Sequence, residues 1–279
     1  MRAFEGTLSP IVIEPSRGRW RLDLGAAWPY RELLYFLVWR DVKVRYKQAA
    51  LGVGWVVLTP VLTVLVFSMV FGVLARLPSD GHPYVAFAFA GFLPWSYFSQ
   101  ALARGAMCLV GSSQLLTKVY FPRILIPVAA VTMPAVDLLF SSIAMGGLLV
   151  WYGIVPGWGL ALLPVFTLYA GITALALALW LSPVNVRFRD VGHTIPFLIQ
   201  CWMYLSPVVY PLSLVPDRWQ IVYGLNPMVA VVEGFRWGLL GASSPRVSLF
   251  LPGAAVVLVL LVTGTVFFKR MERSLADVV

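Results

Sequence analysis

Charged residues and cysteines are both scarce in this chain. Aspartate, glutamate, lysine and arginine make up 12% of the 279 residues, about half of the ~25% usual in soluble domains. This scarcity excludes an ordinary soluble fold. The two cysteines, Cys108 and Cys201, stand alone inside apolar runs, so neither a disulfide framework nor a Cys-x-x-Cys metal site is expected.

Motifs for catalysis are also absent from the sequence. There is no G-x-x-x-x-G-K-[ST] phosphate loop, no HExxH pair and no clustered catalytic carboxylates. The two histidines, His82 and His193, are predicted on opposite faces of a membrane, which argues against a metal site. We therefore predict a chain that is not an enzyme and binds no cofactor or metal. Any ATP, with its Mg²⁺, would be hydrolysed by a separate polypeptide.

Apolar residues dominate instead, at 60% of the chain with a mean hydropathy of +0.85. A span needs about 20 apolar residues, and six runs approach or exceed that length. The sequence thus predicts an all-α polytopic membrane protein with six transmembrane helices. The fifth run is short and flanked by prolines, so we expect it to be broken. The runs cover residues 51–75, 84–110, 126–151, 160–181, 195–212 and 247–268.

The segment before the first run is basic and amphipathic. Residues 1–28 are predicted to be a cytosolic extension, and residues 29–48 a helix on which Glu32, Arg40, Lys43 and Lys47 share an arc of about 80°. This pattern is typical of a helix lying in the membrane interface. The alternative is a juxtamembrane linker whose charges only set the topology.

The lysines and arginines predict the orientation of the chain. With the N-terminus inside, 16 of the 21 basic residues lie on the inner side, so both termini are predicted to be cytoplasmic. The basic residues that give the chain its net charge of +9 lie at the edges of the apolar runs. This distribution favours anionic phospholipids over nucleic acid as partners.

Residues 220–241 are apolar enough to suggest a seventh span. They include Asn226, Pro227, Glu233 and Arg236, which are costly against lipid. We therefore predict short re-entrant helices at the outer face, between spans five and six and broken at Asn226-Pro227.

Two charges fall inside long runs, Arg104 in the second and Asp137 in the third. Because these runs are antiparallel neighbours, an ion pair between them is geometrically feasible. Two alternatives remain open, namely side chains that face a transport pathway and an Arg104 that reaches toward the interface.

Two inner loops have the character of contact surfaces. Residues 111–123 predict a short amphipathic helix that docks in a groove of another protein, or else a simple surface turn. Arg187, Arg189 and Asp190 form a charged loop that either contacts a partner or only enforces orientation. Aromatic residues near the outer ends of the runs are typical of interface belts, although a ring facing a channel would also suit sugars.

Four stretches then point to one family: RDVKVRYKQAALGVGWVVLTP, LLTKVYFPR, NVRFRD and YGLNPMVAVVEGFRWGLLG. In order and position they resemble the permease subunits of ABC type-2 polysaccharide exporters, the group that exports O-antigen, capsule and teichoic-acid chains. The resemblance covers roughly residues 30–272. It implies an exporter membrane domain over residues 29–279 and a homodimer in the bacterial cytoplasmic membrane, joined by two copies of a nucleotide-binding ATPase.

The resemblance also implies roles for particular residues. The residues that would contact the ATPase are Gln114, Leu115, Leu116, Thr117, Lys118, Val119, Tyr120, Phe121, Arg123, Arg187, Arg189 and Asp190. The aromatic side chains that would line the channel are Trp55, Phe67, Phe71, Phe92, Trp95, Tyr97, Phe98 and Trp202. The residues of the outer gate would be Asn226, Pro227, Glu233 and Arg236.

The substrate expected from this resemblance is a polyprenyl-diphosphate-linked glycan that leaves the inner leaflet beside the first span. Its anionic headgroup would be drawn by Arg40, Lys43, Arg45 and Lys47. A type-2 exporter of a lipid, drug or peptide is the first alternative. An ATP-independent flippase or a membrane enzyme is a further one.

Overall fold

The computed structural model describes residues 28–47, 53–113, 115, 121–188, 190–242, 244 and 247–278. Within these ranges the chain is helical, and no β-strand occurs in them. Their α-helices are α1 (Arg31–Lys47), α2 (Val53–Phe67), α3 (Tyr84–Gly111), α4 (Leu125–Thr132), α5 (Pro134–Tyr152), α6 (Leu163–Arg187), α7 (Asp190–Tyr204), α8 (Asp217–Gly224), α9 (Pro227–Leu240) and α10 (Val247–Val278). The predicted N-terminal extension lies outside the described residues, apart from Trp28.

Four helical segments of the described chain are long and apolar enough to cross a membrane. They overlap the first, third, fourth and sixth predicted runs. Their bounds are Gly54–Leu74, Leu125–Tyr152, Trp158–Arg187 and Phe250–Glu272. The first combines α2 with a π-helical continuation, and the third begins with a short 3₁₀ turn. The chain is thus an all-helical, multi-pass membrane protein.

The other two predicted runs differ from these four. Helix α3 has 28 residues and a length of about 42 Å, enough to cross the bilayer, but Gln100 and Arg104 lower its hydropathy. Helix α7 has only 15 residues, about 22 Å, and ends at Tyr204. The predicted fifth run, 195–212, is therefore not one continuous helix, because turns and bends follow Tyr204.

Helix α3 is the centre of the core. It packs against α2, α4, α5, α6, α7 and α9. Small residues let its neighbours approach closely, as packing inside membranes requires. At Gly105 an added Cβ would lie 2.6 Å from the Cβ of Ala178 on α6, so nothing larger than glycine fits at the present helix spacing.

Helix α1 lies against α4 at one end of the bundle, called here the α1 end. Leu37 anchors it in an apolar cluster with Leu109, Phe121 and Phe268. The helix spans nearly the whole of the predicted interface segment, 29–48. Since Tyr35 and Phe36 remain exposed, α1 presents a second apolar surface away from the bundle.

The segment predicted as re-entrant consists of two helices, α8 and α9, separated at Asn226. Most side chains of α9 are buried between α3, α6 and α10. The helix is therefore part of the core, which explains how Glu233 and Arg236 are shielded from lipid.

Candidate functional site

A basic groove runs along the free side of α1. Arg40, Lys43 and Lys47 line an open cavity of about 540 Å³ together with Phe36, Trp39 and Val44. The three cations recur at helical spacing on one side, and the exposed rings of Phe36 and Trp39 line the same cavity. Such a surface suits a ligand with an anionic head and an apolar body. We call it the basic groove.

Arg45 does not belong to the basic groove, which corrects its predicted place in the headgroup site. Its Nη2 lies 2.7 Å from Oδ2 of Asp137 on α5 and donates to Oε1 of Gln100 at 3.1 Å. The position of Arg45 on the helix explains this, because it is about 140° around α1 from Arg40. The side chain faces the bundle, where a buried carboxylate neutralises it.

Asp137 has a second contact from the same helix. Tyr46 donates its hydroxyl to Oδ1 at 2.5 Å, and only 3% of Asp137 is exposed. Burial, and then the bound carboxylate, raise the pKa of the Tyr46 hydroxyl well above its usual value. The hydroxyl therefore stays a donor at physiological pH. Tyr46 and Gln100 had no distinguishing signal in the sequence, because their importance depends on where α1 docks.

The ion pair considered between Arg104 and Asp137 is not formed. Asp137 pairs with Arg45, while Arg104 makes no ion pair or hydrogen bond with any described residue. The physical reason is that α1 packs beside α5 and brings Arg45 next to Asp137. The loop that joins the second and third spans gives no information about where α1 packs. Arg104 instead lines a second cavity, between α1, α3 and α4.

The eight aromatic residues predicted to line a channel fall into two groups. Trp95, Tyr97 and Phe98 are buried in the core of the single chain, and their role in lining a channel stays a prediction. They pack there because α3 is surrounded by other helices. The more accessible ones are Trp55, Phe67, Phe71, Phe92 and Trp202.

Some of these accessible rings form a continuous edge. Phe67 contacts Phe71 and Phe92 edge to face, with ring centroids 6.0 and 5.7 Å apart. Helix α2 also exposes Trp55, Leu62 and Val73. This side of the chain is therefore broadly apolar and partly aromatic.

The opposite end of the bundle is fixed by a buried arginine. Arg236 pairs with Glu233 at 2.9 Å and donates to the backbone oxygens of Val208, at 2.8 Å, and Tyr210, at 3.3 Å. Its guanidinium carbon lies 3.7 Å from the ring centroid of Phe87. These contacts tie α9 to α3 and to the turns that follow α7.

Asn226 starts α9 and also connects it to α7. Its Oδ1 accepts from the backbone N–H of Met228 at 3.1 Å, which caps the helix, and from Nε1 of Trp202 at 3.0 Å. Its Nδ2 donates to the Ser206 hydroxyl at 2.9 Å. Asn226 with Pro227 at the first helical position is a strong helix start.

The predicted ATPase contacts can be followed only in part. Gln114, residues 116–120 and Arg189 lie outside the described residues. Phe121 is buried in the apolar cluster beneath α1, so it is a core residue and its predicted role as a contact residue is corrected. Arg123 donates to the backbone oxygen of Glu272 at 2.7 Å.

The charged loop after α6 is more accessible. Arg187 is exposed at the end of α6, and Asp190 is exposed at the start of α7. The guanidinium of Arg187 lies 5.6 Å from the ring centroid of Phe188. In the described part of the chain no three or more His, Cys, Asp or Glu side chains are grouped in a way that could hold a metal ion.

The chain is a helical membrane protein with a basic groove on a peripheral helix and a buried polar junction at the opposite end.

Comparison with known proteins gives the family. The model of the ABC-2 type transporter membrane domain matches residues 32–240. The chain is 34% identical over 250 residues to the O-antigen export system permease protein RfbA of Myxococcus xanthus, covering 89% of this chain and 95% of the relative. It is 24% identical over 255 residues to RfbA of Klebsiella pneumoniae, covering 88% and 95%. The chain belongs to the ABC-2 type transporter family.

A polysialic acid transport protein is also similar. The polysialic acid transport protein KpsM of Escherichia coli is 24% identical over 252 residues, covering 85% of this chain and 92% of the relative. The family predicted from the four sequence motifs is thus confirmed. Members of this family are transport membrane subunits whose ATPase is a separate subunit.

Proposed function

We propose that this chain is the permease of an ATP-driven exporter that moves lipid-linked polysaccharide across the bacterial cytoplasmic membrane. The observation that carries the proposal is the similarity, over nearly the whole length, to permeases named for O-antigen export. The polysialic acid transport protein adds a second polysaccharide to the same group of relatives.

The basic groove supports a lipid-linked substrate. A polyprenyl diphosphate has an anionic head and an apolar chain, and the groove offers Arg40, Lys43 and Lys47 beside exposed aromatic rings. In the proposal these three cations draw the diphosphate to α1, and the apolar chain stays in the adjoining lipid. Anionic phospholipids compete for the same surface.

The glycan itself would follow the accessible aromatic side chains. Phe67, Phe71 and Phe92 form the edge described above, and flat rings pack well on the C–H faces of sugars. In the proposal a second copy of the chain faces the apolar side of α2 to complete the path. The outer gate would be the junction at Asn226 and Arg236, which must loosen for the glycan to leave.

The energy would come from two copies of an ABC ATPase that bind ATP and Mg²⁺, while this chain binds no cofactor. In the proposal both termini are cytoplasmic, which places the α1 end next to the ATPase. The contacts are then the loop around Leu115 and the exposed pair Arg187 and Asp190. Arg123, which donates to the backbone oxygen of Glu272, belongs to the same proposed contact surface.

A gene disruption tests this function directly. Loss of the chain is expected to remove a surface polysaccharide and to leave its lipid-linked precursor in the cytoplasmic leaflet. Surface glycan is measured by immunoblot and the precursor by mass spectrometry of extracted lipids, with plasmid-borne wild type as the control. Unchanged surface glycan in the disrupted strain would contradict the proposal and would favour another exported substrate.

A further inference from the structure

A second cavity lies on the bundle side of α1 and shares Arg40 and Val44 with the basic groove. It has a volume of about 420 Å³, opens to the surface and is lined by α1, the last turns of α3 and helix α4. Arg40, Asp41, Arg45 and Arg104 supply its charges. We call it the Arg104 cavity.

The charges in the Arg104 cavity are not balanced within the described residues. Arg40 pairs with Asp41 at 2.9 Å, and Arg45 pairs with Asp137 at 2.7 Å. Arg104 has no carboxylate within ion-pair distance and no hydrogen-bond acceptor among these residues, and Asp41 and Asp137 attract it only from farther away. An arginine inside a membrane helix is costly without a counter-charge at close range. Among the described residues the cavity therefore keeps an excess of positive charge at Arg104.

Apart from Ser112, the rest of the cavity wall is mainly apolar. Leu37 and Val44 of α1 face Met107 of α3 and Ile126 and Ala130 of α4. A free anion would leave this wall in contact with water. A ligand that fits both parts of the cavity has one anionic group for Arg104 and a hydrocarbon segment for the wall.

We propose that the Arg104 cavity binds a phosphate-bearing lipid, with the phosphate on Arg104 and the first part of its chain against Met107, Ile126 and Ala130. Guanidinium and phosphate form short, charge-assisted and often bidentate hydrogen bonds. The lipid also braces α1 against α3 and α4, beside the Arg45–Asp137 ion pair. The site does not depend on what the protein exports.

Two sources share this chemistry, an acidic membrane phospholipid and a polyprenyl diphosphate. The experiment separates them. Full-length protein is placed in nanodiscs of phosphatidylcholine doped with phosphatidylglycerol, and lipids that stay bound after transfer to detergent are counted by native mass spectrometry. Undecaprenyl diphosphate and inorganic phosphate are then added as competitors. Displacement by the polyprenyl lipid identifies that source, and retention of phosphatidylglycerol identifies the other.

The decisive variant is Arg104→Gln, with Arg270→Gln as the matched control. Arg270 is an exposed cation of α10 outside the cavity, so its loss changes the net charge equally. We expect Arg104→Gln to weaken lipid retention roughly tenfold, the effect of one charge-assisted hydrogen bond, and Arg270→Gln to leave it unchanged. Ala130→Phe, which fills the apolar part and keeps Arg104, is expected to weaken retention too.

Three results would overturn the proposal. The first is equal retention by wild type and Arg104→Gln. The second is an equal loss in Arg104→Gln and Arg270→Gln, which would indicate unspecific attraction. The third is displacement of the bound phosphatidylglycerol by inorganic phosphate at the same concentration as by undecaprenyl diphosphate. This result would show that the apolar wall contributes nothing to binding. None of these readouts uses glycan export, so they are separate from the test of the proposed function.

Discussion

At the scale of single residues, burial and pairing decide which charges are available. Arg40 and Arg45 are five positions apart on one helix, yet one lines the open basic groove and the other neutralises a buried carboxylate. Breaking one partner of a buried pair is costly because the other charge remains unsatisfied. At the α1 end Asp137 would bear this cost, because it is buried and would lose its counter-charge if Arg45 were replaced.

Tyr46→Phe tests the contribution of the hydroxyl to this junction. The substitution keeps the ring and removes one hydrogen bond to a buried carboxylate, so a loss of about 1–3 kcal/mol in stability is expected. The measurement is thermal unfolding in detergent, with Tyr35→Phe as the control because Tyr35 is 61% exposed. Equal midpoints for the two variants would show that the Tyr46–Asp137 bond is energetically neutral.

At the scale of helices, α1 and α9 carry the features that set this chain apart. Helix α1 has different partners on its two sides, since the basic groove faces outward and Leu37 and Arg45 face the bundle. Asn226 caps the N-terminus of helix α9, and Arg236 in its third turn donates to the backbone oxygen of Val208. Beside their apolar packing, both helices make a few specific polar contacts, and single substitutions there test how much these contacts contribute.

Replacing Lys43 and Lys47 of α1 with glutamine together should lower the export rate. Each lysine near an anionic surface contributes about 1 kcal/mol, so the double substitution is expected to lower the rate roughly thirtyfold when substrate is limiting. Surface glycan is followed over time in the disrupted strain carrying the variant. The control is the double substitution Arg76→Gln and Arg218→Gln, which removes two exposed cations elsewhere. Equal rates in the two variants would argue against a headgroup role for the groove.

Asn226→Ala should loosen the start of α9. The helix loses its cap, worth about 1 kcal/mol, and Trp202 loses its acceptor. Hydrogen exchange at the amide of Met228 is expected to accelerate by a factor of roughly five to ten. Asn226→Asp keeps the acceptor and loses only the Nδ2 donor, so its exchange should stay closer to that of the wild type. If amide exchange at Met228 is accelerated as much in Asn226→Asp as in Asn226→Ala, a capping role for Asn226 is contradicted.

At the scale of the whole molecule, close contact between α3 and α6 determines how the bundle packs. Gly105→Ala would bring two Cβ atoms to 2.6 Å, so the helices must separate at a cost of about 1–3 kcal/mol. Ala178→Gly removes the opposing methyl group. The double variant should therefore recover part of the unfolding temperature lost by Gly105→Ala. No recovery would mean that the strain lies elsewhere, for example against Val131, whose Cγ2 would lie at 3.2 Å.

The class of protein and its family follow from the sequence alone. Apolar runs must be helical in a bilayer because every backbone group needs an internal partner, so composition and length suffice. The break at Asn226-Pro227 was also predictable from the sequence, because a capping side chain followed by proline favours a helix start through local interactions.

Which side chains meet depends on the packing of the helices. Asp137 pairs with Arg45, Arg104 faces a cavity, and Trp95, Tyr97 and Phe98 are buried. These outcomes depend on how α1 docks and on which helices surround α3. Docking arises from contacts between residues far apart in the chain, such as Tyr46 with Asp137, and no helical periodicity within a single segment contains that information.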